Sequence, residues 1–231
     1  MIKTKQGLIK KEFDALKNMA IDLVPRLIGQ MSTWNSPEQI FASIGSVATG
    51  FIGDRVKKLL EEAESDKNID ERVLGSEKTN QSFIKLVNFV AQKNPDFETW
   101  ESVKKIFKHT LQSNVTEQER TSLYDLLDIC TQLSGSEIRI LAGAYQILIT
   151  LDDTHKTQRQ VSWWADSIAK NIGFVAGEQV LRYEDNLVRQ KLIAPRELAQ
   201  HGPLGTWHPG YGGNGHRLTS LGYELAKFLN K

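Results

Sequence analysis

The chain has 231 residues, 40% of them hydrophobic and 25% charged, with a formal net charge of +1. That length suits one large or two small domains, and the composition excludes wholesale disorder. The near-zero charge excludes a global field, so a nucleic-acid surface can only be a local patch.

Cysteine usage points to a compartment. Cys130 is the single cysteine, which excludes an internal disulfide framework and fits a reducing, cytoplasmic setting. It lies in "LYDLLDICTQL" among Leu126, Leu127, Ile129 and Leu133 and reads as a small buried hydrophobe. The basic start "MIKTKQGLIKKEF" lacks the apolar core and cleavage site of a signal peptide. No stretch holds 18 apolar residues, so no membrane span is expected.

The elements follow in chain order, nearly all with helical period. Leu8, Phe13, Leu16, Met19, Ala20, Leu23 and Leu27 recur at threes and fours on one face, and Pro25 is expected to kink or end that helix near Leu23. Ser36 and Pro37 in "NSPEQIF" are an N-cap and a first helical residue, opening a helix that continues to about Ser65. "DKNIDERVLGSEKTNQ" reads as a polar connection with a short turn around Val73. Helices over "QSFIKLVNFVAQ", "PDFETWESVKKIFKHTLQ" (Asp96 as cap) and "TEQERTSLYDLLDICTQL" follow. The last opens with a capping box, Thr116 and Glu119.

From Ser134 the order becomes specific. "SGSEIRILAGAYQILITL" has Ser134 or Ser136 as cap and Ile138, Leu141, Ala142, Tyr145 and Leu148 on one face. "VSWWADSIAKNIG" ends at Gly173, and "GEQVLRYEDNLVRQKLI" runs to about Lys191. A glycine-rich loop precedes "HRLTSLGYELAKFL". This is the order of a winged helix-turn-helix. Leu192-Ile193 would begin one wing strand, His216-Arg217-Leu218 would return, and Thr219 would cap the last helix. The expected fold is all-α: an N-terminal helical region, residues 1–132, and a winged-helix domain with a small β-hairpin wing, residues 133–231.

In the third helix of that domain, Val180, Leu181, Leu187 and Val188 make the inner face. Gln179, Arg182, Asn186 and Arg189 share the outer one. Arginine can read guanine edges or phosphates, and Gln or Asn can read adenine. Arg217 would help from the wing. Glu178, Glu184 and Asp185 oppose phosphate on the same helix, so the face reads either as a nucleic-acid contact or as a solvated or protein-docking surface. Residues 156–231 hold ten Lys/Arg against six Asp/Glu, a mildly basic balance.

"QIFASIGSVATGFIG" places Ala42, Ser46 and Gly50, and likewise Gly45, Thr49 and Gly53, every four residues. Small residues at that spacing let helix backbones approach closely. The segment reads as a self-association helix, as core packing, or as a stretch lying on a bilayer beside "DRVKK". Trp163 and Trp164 are neighbours, so one enters the core. His201, His208 and His216 match no compact metal signature, "GYGGNG" lacks the pattern of a phosphate loop, and the acidic pairs Asp152-Asp153 and Glu184-Asp185 have no acid–base partner at a fixed spacing. No cofactor, metal or catalytic residue is expected. An enzyme whose groups come from distant helices would leave no local motif and is the remaining alternative.

"LSGSEIRIL", "DNLVRQKLI" and "HRLTSLGYELAKFL" together resemble the end of a bacterial family called abortive infection alpha. That family shows a Leu-Ser-x-x-Glu…Ile-Leu helix, an Asn-Leu-x-Arg-x-x-Leu-Ile helix and a Leu-Thr-x-x-Gly close. "SIGSVATGFIGDRVKKLLEEAE" is similar to its small-residue helix. Where members often have Gly before Leu-Ile this chain has Lys191, and the family's acidic middle block is hard to find. The resemblance implies a cytoplasmic bacterial or phage-related protein tied to antiphage (antiviral) defence, and it supplies no catalytic residues. The function expected is a non-enzymatic protein that binds duplex DNA or regulates a protein partner. The alternatives are an oligomerising interaction module and a membrane-contacting effector.

Overall fold

The stripe beginning at Leu8 winds into α1 (Ile2–Met31), which buries Phe13, Leu16 and Ala20 and leaves Leu8 exposed. This computed structural model describes residues 2–31, 53–66, 68–150, 161–195, 197–198, 209–210 and 217–230, and the chain divides into two compact units, residues 1–132 and 133–231. Among the described residues nearly all regular structure is helix. Of the two outcomes expected at Pro25, a kink or an end, the end does not occur: α1 runs through Pro25. A proline removes one backbone donor, and here the helix continues past that single lost bond.

In the first unit, α2 (residues 53–64) buries Val56, Leu59, Leu60 and Ala63. The short α3 (Glu71–Leu74) is capped by Asp70, whose carboxylate accepts from the Arg72 N–H. α4 (Glu77–Lys93) starts at the Ser76 cap, earlier than its apolar run indicates, and stops at Asn94 in the left-handed region. Asp96 caps α5 (Phe97–Thr110), and the Thr116–Glu119 box opens α6 (Glu117–Cys130). α1 packs on α3 and α4, and α5 on α6. Phe83 and Phe107 meet at 6.0 Å between ring centres. Burying each such side chain contributes about 1.5–3 kcal/mol. Lys17 bridges to Glu64 at 2.6 Å, and Glu62 meets Lys104 at 3.2 Å and Lys108 at 3.3 Å. Cys130 is fully buried in α6.

In the second unit, Ser134 caps α7 (Gly135–Thr150), and Glu137 reaches back to the Ser134 N–H at 2.7 Å. The most buried positions of α7 are Ile140, Leu141, Ala144 and Ile147. Ala142, Tyr145 and Leu148 are only half-buried, so the inner face is rotated from the expected stripe. α8 (Val161–Ile172) and α9 (Gly177–Arg189) pack on each other, and α10 (Ser220–Leu229) packs on α7. Trp164, Ile168, Val180, Leu187, Leu192 and Leu225 are completely buried.

The segments between α9 and α10 pair twice. Ile193 and Leu218 form an antiparallel bridge, and the Ala194 N–H donates to the Arg217 carbonyl at 2.7 Å. Farther along, β1 (Glu197–Leu198) pairs antiparallel with β2 (Pro209–Gly210), Glu197 opposite Gly210. Thr219 caps α10, and its hydroxyl donates to the Lys191 carbonyl at 2.6 Å. A Cβ on Gly222 would lie 1.8 Å from the Leu192 carbonyl oxygen, so only glycine permits this approach of α10 to the chain leaving α9.

Candidate nucleic-acid interface

α9 has sharp local determinants. Gly173 ends α8 at φ 74°, and the Phe174 N–H returns to the Ala169 carbonyl at 2.8 Å. The Phe174 ring lies 6.5 Å from that of Tyr183 and beneath the Arg139 guanidinium at 5.2 Å. A Cβ on Gly177 would sit 2.3 Å from an Asp166 carboxylate oxygen, so glycine sets how closely α9 starts against α8. At the other end Lys191 adopts φ 58°, turning Leu192 and Ile193 back into the core.

The inner face of α9 is Gly177, Val180, Glu184 and Leu187. Glu184 was expected outside, opposing phosphate. It is 6% exposed, and its carboxylate takes the Arg217 guanidinium at 2.5 Å. Arg217 also donates from Nε and Nη2 to the Ala194 carbonyl, at 3.1 and 2.6 Å, and lies 4.6 Å from the Trp164 ring centre. At 1% exposure it is no nucleic-acid contact from a wing. The expectation failed because the guanidinium is taken up inside by Glu184, the Ala194 carbonyl and the Trp164 ring, from a backbone at φ 59°. Sequence reasoning could have found Glu184, since it stands four residues after Val180 and three before Leu187. The identity of its partner, 33 positions away, had no local signal.

The outer face carries Gln179, Arg182 and Arg189 in the open, with Asn186 half-buried. The Gln179 side-chain carbonyl accepts the Val175 N–H at 2.8 Å, stapling the turn before α9. The Asn186 amide donates to Glu137 at 2.6 Å, and its carbonyl accepts from Arg189 at 2.7 Å. A chain of hydrogen bonds thus leads from the α7 cap to the α9 surface. Glu178 and Asp185 are exposed beside the arginines. Four predicted site residues come together on α9, and Arg217 does not join them.

Of the small-residue set, Ala42, Gly45, Ser46, Thr49 and Gly50 lie outside the described residues, as do His201, Trp207, His208 and His216. Gly53 opens α2 with free space where a Cβ would stand. Among the described residues no cluster of metal-ligating side chains occurs, and no helix is long and apolar enough to cross a membrane. Trp164 enters the core. What the fold defines is a helical protein of two units, the second presenting a helix with two exposed arginines. The chain matches no family model, no curated protein and no solved structure.

Proposed function

We propose that residues 133–231 act as a winged helix-turn-helix that docks α9 on duplex DNA, in a non-enzymatic regulatory protein. The order α7, α8, α9, two antiparallel pairings and α10 supports this reading. One observation carries it: α9 keeps Arg182 and Arg189 in solvent while Glu184, which would have repelled phosphate, is held inside by Arg217. The sequence resemblance to abortive infection alpha adds the setting, an antiphage-defence protein of a bacterial cytoplasm.

The test is fluorescence anisotropy with a labelled duplex at 50 and 200 mM salt. Contacts of the domain with phosphates release counterions, so wild-type affinity should fall between the two salt concentrations. Arg182→Ala/Arg189→Ala should weaken binding about tenfold or more at either salt concentration. Wild-type affinity in the double variant sinks the assignment of α9.

A protein partner is the second reading, favoured by Val175, which is 94% exposed in the turn before α9. Wild-type protein that shows no salt-dependent duplex binding would leave this reading in place. Self-association through Ala42, Gly45, Ser46, Thr49, Gly50 and Gly53 is a separate proposal. Sedimentation of Gly50→Leu tests it, with loss of an oligomer and retained helicity as the supporting result. Co-sedimentation with anionic vesicles tests membrane contact by the same segment.

A further inference from the structure

The α9 face carries its own hydrogen-bonding code. Glu178, Arg182, Asp185 and Arg189 follow spacings of four, three and four, so they form one stripe, and all four are exposed. Each arginine therefore has a carboxylate one turn before it. Exposed pairs at that spacing are weak, so both members stay available to a ligand.

The two amides on the helix are already hydrogen-bonded within the protein, Gln179 at the surface and Asn186 toward α7. Reading adenine requires an amide to present its carbonyl and its NH2 together, because adenine offers an acceptor at N7 and a donor at N6. Gln179 has turned its carbonyl to the Val175 N–H. Asn186 has turned its NH2 to Glu137, itself buried, and its carbonyl to Arg189. In this arrangement neither presents that paired edge.

What remains outward is a guanidinium beside a carboxylate, twice. A G·C pair presents guanine O6 and N7 as acceptors and cytosine N4 as a donor. Arginine binds the first two in a fork, and a carboxylate accepts from the third. We propose that α9 reads G·C pairs in the major groove, with Arg182 and Arg189 on guanine and Glu178 and Asp185 on cytosine, and discriminates against A·T. The proposal rests on the duplex-DNA reading. It also assigns a use to the two acids that phosphate attraction alone leaves unexplained. Seven residues of helix separate the arginines, about 10 Å of rise, so the two pairs read lie about three base-pair steps apart when α9 lies along the groove.

The experiment measures binding of the full chain to three labelled duplexes of equal length. One is all A·T, one carries two G·C pairs three steps apart, and one is the same with 7-deazaguanine, which lacks N7. The G·C duplex should bind about tenfold tighter or more than the A·T one, and 7-deazaguanine should remove most of that gain. Arg182→Ala, an exposed position, should lose the preference while circular dichroism stays unchanged. Equal salt-dependent affinity for all three duplexes overturns base reading and leaves DNA docking intact. A preference that survives 7-deazaguanine, or one for A·T, likewise overturns it. Binding to none of them overturns the duplex-DNA reading and this proposal together.

Discussion

Replacing Glu184 with leucine tests whether the buried ion pair sustains the second unit. Wild-type Glu184 receives the Arg217 guanidinium at 2.5 Å, and both side chains are almost wholly inside, 8% and 1% exposed. Arginine stays protonated at any ordinary pH. Glu184→Leu therefore leaves a buried cation with the Ala194 carbonyl and the Trp164 ring as its named contacts. Removing one partner of such a pair costs about 3–5 kcal/mol. For a unit of this size that lowers Tm by roughly 12–40 °C. Glu184→Leu/Arg217→Met removes both charges and keeps the volume, so most of the loss should return, because the desolvation of two ions is no longer required. The assay is scanning calorimetry of the three full-length proteins. A loss below about 1 kcal/mol in the single variant, or a double variant no more stable than the single, refutes the reasoning. The double variant should also keep duplex affinity where it is folded, as expected if Arg217 has no place in the groove.

Other consequences are more local. Lys191→Gly should raise stability by about 0.5–1 kcal/mol in urea unfolding, since a lysine at φ 58° carries a steric cost that glycine lacks. Gly222→Ala should lower it by about 3 kcal/mol or more, because the new methyl would meet the Leu192 carbonyl and backbone must move. The Cys130 thiol, pushed up to about 12 by burial, should resist maleimide in native protein and react at once in urea; fast native labelling would contradict its burial. Asp70 is held below the ordinary carboxylate range, first by the Arg72 side chain, and Asp66 first by the Gln112 amide. Their contribution is complete above the unfolded carboxylate pKa of about 4 and is lost as pH falls through the lower folded values. Asp70→Asn should therefore flatten the acid limb of a stability–pH curve, and an unchanged limb argues against the Asp70–Arg72 contact.

The sequence made caps, breaks and helix periods legible because those depend on neighbours within about four residues. Asp96, the Thr116–Glu119 box, Ser134 and Thr219 all cap the helices whose starts they mark. Period alone ranked inward positions less well. A carboxylate favours solvent, yet Glu184 lies between Val180 and Leu187 on the inner face, as its angular position dictates. Arg217 looked like a wing cation because nothing within reach along the chain announces a left-handed backbone at a non-glycine residue. Gln179 is exposed on α9 and Asn186 half-buried, and their carbonyl and amide groups are bonded to Val175, Glu137 and Arg189. Of these bonds Asn186–Glu137 links different helices, and a single helix's pattern does not encode it.

The double tie at Ile193–Leu218 and Ala194–Arg217 has a consequence for what can change between them. Both ends of the intervening stretch are fastened to the core, one by Leu192 and Ile193, the other by Arg217, Leu218 and the Thr219 cap. The domain's closure then depends on the clamp rather than on what the clamp encloses. Doubling the enclosed length would cost only about 0.6 kcal/mol in loop entropy. The helices on either side should therefore keep their register when residues are inserted between the two ties.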